Sequence, residues 1–566
     1  MSLPELLAPA GSFAAARAAL FAGADAIYVG GRMLNARMNA ANFTDGELLE
    51  LVRLCHERGV KVFVTLNTAI LDREMAEAVE YTDRLYEIGV DALIVSDLGY
   101  ASAVKDRYPG MELHASTQAS GHNADCAAAF EKLGFSRMVC ARELSKNEID
   151  GLVKDSPIEI EQFIHGAMCV SQSGQCLASH VMGGRSGNRG VCAQPCRMKY
   201  NGAYPISLKD MCLATHVTSL IESGVASLKI EGRMKSPQYV FEVVSAYRRL
   251  LDEARNASNA EYKALSDVFS RSGFTDGYYT ESIGRDMLGV RTDGDVKATE
   301  GVKTVIKDCG RRLPPITVND RTRNGEFVRM KPPKKGGGGG KPIMTARFYD
   351  PRQVCSTDGF SHVYLPLDRY ERDVCDGVIF PPSVFPSEEA KFHADLERAV
   401  RNGATDALIT HVSQIETAIK YGLVPHGDYR LNVFNSYAAR LLTSLGLKDV
   451  MVSPELTLPQ IRDINAPKSA IVYGRLPIML LTKPVEADSL TDKTGARFPI
   501  VKENGRDILL NSVPIYMADK GKELDSFGVR GRHFVFTTEK RSECAAIIKA
   551  YENGLPTKEM IRRIVK

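Results

Sequence analysis

The chain has 566 residues, a length that predicts more than one domain because most domains hold about 100 to 200 residues. Its 72 Lys and Arg against 69 Asp and Glu leave a net charge of +3, and 44% of the residues are hydrophobic. This composition excludes a mostly disordered chain. No apolar run reaches the roughly 18 residues of a membrane span, and the first residues lack the basic region of a secretory signal, so we expect a cytoplasmic protein without a membrane partner.

The first half of the chain alternates short apolar runs with amphipathic stretches of helical length. Seven runs predict strands, at residues 5–11, 25–31, 61–67, 91–97, 111–117, 136–141 and 160–166. An eighth run at 227–233 precedes another helical pattern. Eight strand–helix units over about 250 residues predict an α/β fold, a (β/α)8 TIM-like barrel, although an open doubly wound sheet would show the same local pattern.

The second half of the chain repeats the first. The segment LGFSRMVCARELSKNEI begins at Leu133 and LGLKDVMVSPELTLPQI begins at Leu445, an ungapped match over 17 positions that aligns Glu143 with Glu455. Further matches in the same order pair Gly224 with Gly528 and Tyr247 with Tyr551. Chance similarity of strand–helix units is the alternative. The repeat predicts a second, degenerate barrel-like copy of the first domain.

The predicted domain organisation has four parts. They are a TIM-like barrel with a cysteine loop at 167–200 (1–255), a helical and extended appendage (256–300), a basic Gly-rich linker (301–341) and the duplicated barrel-like domain without the cysteine cluster (342–566). The linker holds 11 Lys or Arg and 3 Asp or Glu, 11 − 3 = +8, and includes five consecutive glycines. We expect a flexible connection there, either natural or spliced in place of a removed segment.

Four of the twelve cysteines lie within 28 positions, spaced C-x6-C-x15-C-x3-C. They are Cys169, Cys176, Cys192 and Cys196. Four thiolates can bind tetrahedral zinc or an iron–sulfur cluster, and unliganded thiols are the third alternative. Because Cys169 follows the strand 160–166 directly, the loop leaves the carboxyl end of that strand, which is the catalytic face of a barrel.

Other side chains at the strand ends complete a candidate site. The catalytic candidates are His165 for proton transfer, Glu231 as its carboxylate partner or base, and Arg233 for bidentate contact with a phosphate or an acidic cosubstrate. The substrate-binding candidates are Arg142, Glu143, Arg185, Arg189 and Lys229. Residues 167–200 carry four basic side chains and no acid, which with the linker predicts a phosphate-rich partner, unless both are simply solvated segments.

Several segments carry a specific resemblance to a known family. HGAMCVSQSGQC, GGRSGNRGVCAQPCR and SLKIEGRMKSPQYV resemble the collagenase-like peptidase family U32 over residues 3 to about 290. The resemblance implies that the four cysteines bind a 4Fe–4S cluster. FSRSGFTDGYY (269–279) and the duplicated half are most similar to the branch of ribosomal-RNA 5-hydroxycytidine synthases. That branch normally has another domain between its two halves, where this chain has only the basic linker.

This resemblance implies an enzyme that hydroxylates RNA at position 5 of a pyrimidine, and we favour 5-hydroxycytidine in 23S ribosomal RNA. It also implies RNA and an electron donor as partners, and prephenate as a cosubstrate, to which the tRNA-modifying branch is tied. The alternatives are 5-hydroxyuridine formation in tRNA, a peptidase, and a non-catalytic iron–sulfur scaffold whose second copy binds a partner. The sequence contains neither the H-E-x-x-H nor the G-x-S-x-G motif of common hydrolases.

Overall fold

The computed structural model describes residues 3–37, 42–318, 322–331, 333 and 341–555. The five linker glycines, 336–340, lie outside these ranges, so the prediction of a flexible tract there stays a prediction. Within the described ranges, no helix combines the length and the apolar character needed to cross a membrane.

In its described residues, the first half contains ten strands and eleven α-helices. The strands are β1 (Glu5–Ala10), β2 (Ala26–Gly30), β3 (Lys61–Leu66), β4 (Ala92–Val95), β5 (Glu112–Ala115), β6 (Arg137–Val139), β7 (Glu159–Gly166), β8 (Asp210–Cys212), β9 (Ser227–Ile230) and β10 (Phe274–Thr275). The helices are α1 (Phe13–Phe21), α2 (Asp45–His56), α3 (Asp72–Ile88), α4 (Leu98–Arg107), α5 (Ala124–Lys132), α6 (Lys146–Asp155), α7 (Ala178–Gly183), α8 (Val217–Glu222), α9 (Pro237–Asp252), α10 (Asn259–Val268) and α11 (Asp293–Gly301).

Eight of these strands form a closed parallel barrel. The order runs from β1 to β7 and then through β9, which pairs with both β7 and β1. The predicted TIM-like barrel is therefore confirmed, and the open sheet is excluded. The strands are nearly continuous apolar runs, such as the fully buried AIYVG of β2, because helices cover the outside while side chains fill the inside. Strand β8 runs antiparallel to the carboxyl end of β7 and lies outside the ring.

The part of the second half that the structure describes contains thirteen strands and six α-helices. The strands are β11 (Ile343–Phe348), β12 (His362–Pro366), β13 (Gly377–Ile379), β14 (Asp406–Ile409), β15 (Val424–Gly427), β16 (Val450–Met451), β17 (Lys468–Gly474), β18 (Pro477–Leu481), β19 (Ser489–Thr491), β20 (Arg497–Glu503), β21 (Arg506–Leu510), β22 (Ile515–Tyr516) and β23 (Val529–Phe536). The helices are α12 (Glu389–Arg401), α13 (Gln414–Lys420), α14 (Ser436–Ser444), α15 (Leu458–Asp463), α16 (Gly521–Ser526) and α17 (Arg541–Glu552).

Strands β11 to β17 and β23 repeat the topology of the first barrel. They form a parallel sheet in the order β15-β14-β13-β12-β11-β23-β17-β16. Two backbone hydrogen bonds link its end strands, from Gly427 N to Asp449 O (3.1 Å) and from Lys448 N to Pro425 O (2.9 Å). The prediction of a barrel-like second copy is confirmed, although the ladder between β15 and β16 is incomplete.

The two copies also carry their insertions at the same place. In each copy an excursion leaves the seventh strand and an antiparallel strand returns to it, so that Gly166 pairs with Met211 of β8 and Gly474 pairs with Ile515 of β22. The first excursion is the cysteine loop, whereas the second is the antiparallel sheet β18-β21-β20-β19. Gly474 therefore occupies in the second copy the place that Gly166 has in the first.

The segment between the copies lies along the first barrel where the structure describes it. Backbone hydrogen bonds run from Cys309 N to Phe21 O (2.9 Å), from Leu313 N to Arg58 O (3.0 Å) and from Asn324 N to Arg107 O (2.8 Å). Residues 309–324 are thus attached to the ends of the outer helices α1, α2 and α4 in their described part.

The two barrels contact each other through the amino end of α14. The Asn435 side chain caps this helix at Ala438 N (2.8 Å) and donates to the buried Asp97 carboxylate (2.8 Å) and to Ile70 O (2.8 Å). Beside it, the Asp72 carboxylate accepts from Ser436 N (3.0 Å). One asparagine therefore serves both the helix start and the contact between barrels.

We expect Asn435→Ala to destabilise the chain by about 2 to 4 kcal/mol, because it removes a helix cap and leaves a buried carboxylate with fewer donors. The matched control is Ser258→Ala, which removes the exposed cap of α10, a helix of the first half of the chain. The control should cost about 1 kcal/mol. Equal shifts of the melting temperature in both variants would contradict a role of Asn435 beyond capping.

Candidate functional site

A cavity of about 310 Å³ opens at the carboxyl ends of the first barrel's strands. All four clustered cysteines line it, together with the side chains of Arg142, Lys229, Glu231 and Arg233. The cysteine loop and the barrel mouth thus form one site, on the face where barrel enzymes carry their catalytic residues.

The first barrel fixes the cysteine loop through Glu143. This buried carboxylate accepts hydrogen bonds from Ser173 N (2.9 Å) and Ser173 Oγ (3.0 Å). Arg197 ties the far end of the loop to its beginning, since its guanidinium donates to Met168 O (2.9 Å) and Ser207 Oγ (3.0 Å). Glu143 itself does not line the cavity, so the structure gives it a positioning role instead of the predicted contact with substrate.

The second barrel holds the same loop from the other side. Glu455, which aligns with Glu143 in the repeat, accepts from Ser186 Oγ (3.1 Å) and Asn188 Nδ2 (3.0 Å). Strand β18 adds backbone hydrogen bonds, from Gln172 N to Leu480 O (2.7 Å) and from Leu177 N to Ile478 O (2.9 Å).

Met479 of the same strand reaches the cavity wall. This contribution of the second copy to the site was not predicted from sequence.

The four thiols differ in exposure but share one environment. Cys169 and Cys192 are exposed, whereas burial and the neighbouring thiols raise the pKa of Cys176 and raise that of Cys196 to about 12. Hydrogen-bond donors face the exposed sulfurs, with Gln194 N 3.3 Å from Cys192 Sγ and Arg142 Nη1 3.9 Å from Cys169 Sγ. Buried thiolates need nearby cations, and bound metal ions would supply them.

The four thiols are a donor set that fits either of two metal centres. Four cysteine thiolates bind a tetrahedral zinc ion or a 4Fe–4S cluster. All four cysteines line one cavity, so the residues present fit such a centre. The choice of the cluster over zinc stays a prediction.

Glu231 is the anionic centre of the cavity. Its carboxylate oxygens lie 3.3 Å from Arg37 Nη2 and 3.4 Å from Arg142 Nη2. Burial opposes its charge, but the two guanidiniums prevail and lower the pKa of Glu231 below its usual value. Glu231 is thus an ionised anchor for two arginines. Arg37 belongs to the loop after β2 and was missed by sequence reasoning, because no strand pattern marks its position.

Lys229 lies deeper in the mouth, beneath these arginines. Its Nζ donates to the fully buried Glu161 (2.7 Å) and lies 4.5 Å from the ring centre of Tyr28. Burial lowers the pKa of Lys229, although Glu161 counteracts the effect. Arg142 lies 4.1 Å over the ring of Phe163, which fixes the plane of its guanidinium in the cavity.

Arg233 is a buried cation whose hydrogen bonds go to neutral oxygens. Its Nη1 donates to Thr65 Oγ1 (2.7 Å) and to Asn35 Oδ1 (3.3 Å). Burial, together with the nearby charge of Arg37, lowers the pKa of Arg233 to about 10. Six cationic side chains line the cavity, against the one lining carboxylate of Glu231; they are Arg37, Arg142, Arg197, Lys229, Arg233 and Arg271. Even with the carboxylates of Glu161 and Asp210, which pair with Lys229 and Arg271, the positive charges outnumber the negative ones. An anionic ligand suits this site electrostatically.

The structure places His165 behind the barrel wall and not in the cavity. A β-bulge between Phe163 and His165 breaks the alternation of β7, so Phe163 faces the mouth while His165 turns outward. His165 packs against the rings of Tyr247 and Phe274, and burial lowers its pKa to about 3. The predicted proton transfer by His165 therefore has no geometric basis here.

Two further predicted contacts lie outside the cavity. Arg189 forms a bidentate ion pair with Glu74 (2.6 and 2.7 Å), and Arg185 donates to Val191 O (3.1 Å). Both therefore shape the loop. Position within the loop could not reveal the partner of Arg189, because Glu74 lies 115 residues away in the chain.

Comparison with known proteins agrees with this geometry. Residues 11–288 match the family described as Peptidase family U32. The chain is 36% identical over 311 residues to an uncharacterized protease of Methanocaldococcus jannaschii, an alignment that covers 50% of this chain and 75% of that protein. The chain belongs to peptidase family U32.

Two other relatives of the chain carry names that refer to RNA. The chain is 39% identical over 309 residues to the 23S rRNA 5-hydroxycytidine synthase of Escherichia coli, covering 52% of this chain and 46% of that protein. It is 40% identical over 266 residues to tRNA hydroxylation protein P1 of Bacillus subtilis, an alignment that covers 44% of this chain and 63% of that protein. The matched part thus spans about half of the first relative's length and less than two thirds of the second's.

We expect His165→Phe to preserve the fold and to reduce acid sensitivity. The folded state holds this histidine neutral down to about pH 3, whereas the unfolded chain takes up the proton below about pH 6.5, so wild-type stability falls as the pH drops through that window. At pH 5 the unprotonated state of His165 lowers the free energy of unfolding of the wild-type protein by about 2 kcal/mol relative to pH 7. The melting temperature of the variant should fall less between pH 7 and pH 5. A folded but inactive variant would instead restore a catalytic role for His165.

Proposed function

We propose that the chain is an iron–sulfur-dependent RNA hydroxylase that forms a 5-hydroxypyrimidine, with 5-hydroxycytidine in 23S ribosomal RNA as the favoured product. The observation that carries this proposal is the shared cavity, in which four cysteines and a surplus of positive charge line one barrel mouth. Relatives at 39% and 40% identity that are named for RNA hydroxylation support the same assignment.

The four cysteines would hold a 4Fe–4S cluster. A bound cluster supplies one-electron chemistry, which hydroxylation of a pyrimidine needs because its C5–H bond is not acidic enough for acid–base substitution. Arg142 and the N–H of Gln194 donate toward two of the sulfurs and would stabilise their negative charge. Conversion of C5–H to C5–OH is a two-electron oxidation that also adds an oxygen atom. The proposal therefore includes a donor of that oxygen atom; if the donor is O2, two electrons from an electron donor reduce its second oxygen atom to water.

The other cavity residues would bind and orient the RNA. Arg142 is held by Glu231 and Phe163, so its planar guanidinium can stack on a base or contact a phosphate. The cavity is recessed, and a base must leave its stack to enter it, at a cost of a few kcal/mol. We therefore propose single-stranded or loop RNA as the substrate.

Arg233 would bind an acidic group of the substrate or cosubstrate. It is buried, keeps neutral partners and lies beside Arg37, so a carboxylate or phosphate there would compensate two cations. A dicarboxylate such as prephenate would satisfy Arg233 and a second cation together. Prephenate is thus our proposed cosubstrate.

Hydroxylation of tRNA uridine is the second candidate, favoured by the 40% identity to a tRNA hydroxylation protein. A peptidase is less well supported. Among the described residues that line the cavity there is no histidine to activate a cysteine or serine nucleophile. A non-catalytic scaffold would not need the buried, neutrally partnered Arg233.

The cluster is tested by Cys169→Ala, with Cys309→Ala as the matched control because both thiols are exposed and only the first lines the cavity. Anaerobically prepared wild-type protein and the control should contain about four iron and four sulfide ions per chain. The Cys169 variant should lose most of both. One zinc ion without sulfide in the wild-type protein would overturn the proposal.

The reaction is tested by Arg233→Ala in a strain that lacks the wild-type gene, with the surface variant Arg249→Ala as control. Nucleoside mass spectrometry of ribosomal RNA and tRNA should show loss of the 5-hydroxypyrimidine with Arg233→Ala and normal levels with the control. We expect a decrease of at least about 10²-fold, since an anchoring bidentate contact is removed. Unchanged modification in the strain without any gene copy would refute the assignment, and loss from one RNA class would name the substrate.

A further inference from the structure

A second cluster of potential metal ligands lies at the opposite end of the other barrel. His362 begins β12, Asp406 begins β14, and His426 is the third residue of β15. His362 and Asp406 therefore lie at the amino ends of their strands, where residues of a barrel serve stability and not catalysis, and His426 reaches them from within β15. Nothing in the proposed RNA chemistry uses these three side chains.

The three side chains converge on one point. Asp406 Oδ1 lies 3.1 Å from His426 Nε2 and 3.5 Å from His362 Nδ1, and all three ligand atoms fall within 4.8 Å of one another. A tetrahedral ion with bonds of 2.0 to 2.1 Å holds its ligand atoms about 3.3 Å apart. The two separations from Asp406 Oδ1, 3.1 and 3.5 Å, lie on either side of that distance.

The surrounding hydrogen bonds orient these atoms as in known metal sites. Asp449 Oδ2 lies 2.9 Å from His426 Nδ1, so that nitrogen can donate its hydrogen to the carboxylate and leave Nε2 as a free acceptor. Thr405 Oγ1 donates to Asp406 Oδ2 (2.6 Å), which leaves Oδ1 directed at the two imidazoles. A carboxylate behind a ligating histidine and a donor behind a ligating carboxylate are regular features of metal centres.

A protonated His426 between two aspartates is the competing explanation. It accounts for the contacts at 2.9 and 3.1 Å, but it leaves His362 at 3.5 Å from Asp406, which is longer than a normal hydrogen bond. One ion shared by both histidines and Asp406 explains all three separations. The His362 side chain is 29% exposed, so solvent can reach the site and supply a fourth ligand.

We propose that His362, Asp406 and His426 bind one divalent transition-metal ion, with zinc as the best fit to two imidazoles and one carboxylate. The ion would tie β12, β14 and β15 together at the base of the second barrel, next to the incomplete ladder between β15 and β16. This site is separate from the cysteine loop, and its existence does not depend on the proposed RNA hydroxylation.

The test uses the full-length protein, stripped with a chelator and titrated with Zn²⁺, with bound zinc measured after dialysis. The variants are Asp406→Asn and His362→Gln, and Cys169→Ala separates this site from the cysteine loop. We expect Cys169→Ala to keep the zinc ion bound at the proposed site. Asp406→Asn and His362→Gln should each lose that ion. Asp449→Asn should weaken binding by about 10- to 100-fold, because it removes only the orienting carboxylate.

Asp376→Asn is the matched control. Its carboxylate lies at the same end of the barrel and accepts from Val363 N (3.0 Å), but it does not belong to the ligand group. Zn²⁺ should raise the melting temperature of wild type and this control and leave that of Asp406→Asn unchanged. If Asp406→Asn fails to fold, zinc binding by His362→Gln tests the proposal instead, because the side chain of His362 is partly exposed. Equal zinc binding by wild type and His362→Gln would overturn the proposal, as would a chain that binds zinc only through its cysteines.

Discussion

Two buried glutamates at equivalent positions of the two barrels hold the one cysteine loop between them. Glu143 binds the loop at Ser173, and Glu455 binds it at Ser186 and Asn188. The loop is rich in Gly, Ser and Gln, and the short α7 is the one α-helix that the structure describes in it. Carboxylate acceptors from both sides, with strand β18 along its edge, therefore supply the order that the cavity requires.

The duplication explains how a copy without the cysteine cluster contributes to the site. After the seventh strand the first copy extends into the cysteine loop, and the second copy extends into β18 and its sheet. Because both excursions leave from the carboxyl ends of barrels that face each other, they meet and pair. The second barrel thus keeps its glutamate and its topology while its insertion has become a support for the first.

The balance of charge inside the first barrel changes between its buried interior and its open mouth. Glu161 is fully buried and is stable as an anion only because Arg137 and Lys229 pair with it. Toward the mouth the cations outnumber the carboxylates, and the hydrogen bonds that Arg233 donates within the described residues go to neutral oxygens. The positive potential of the cavity is therefore built on a neutralised interior, which directs the attraction for an anionic ligand to the open end.

The sequence by itself determined the barrel, the repeat and the cysteine grouping, since each is written in local periodicity or in spacing along the chain. The tertiary structure alone decided which strand-end residues reach the cavity. A bulge in β7 turned His165 away, Arg37 arrived from a loop without a pattern, and Arg189 found Glu74 more than a hundred residues away in the chain. Such outcomes depend on the position of a backbone irregularity and on which charged side chain from a distant segment lies nearest. Both are properties of the folded chain, so local sequence patterns do not contain them.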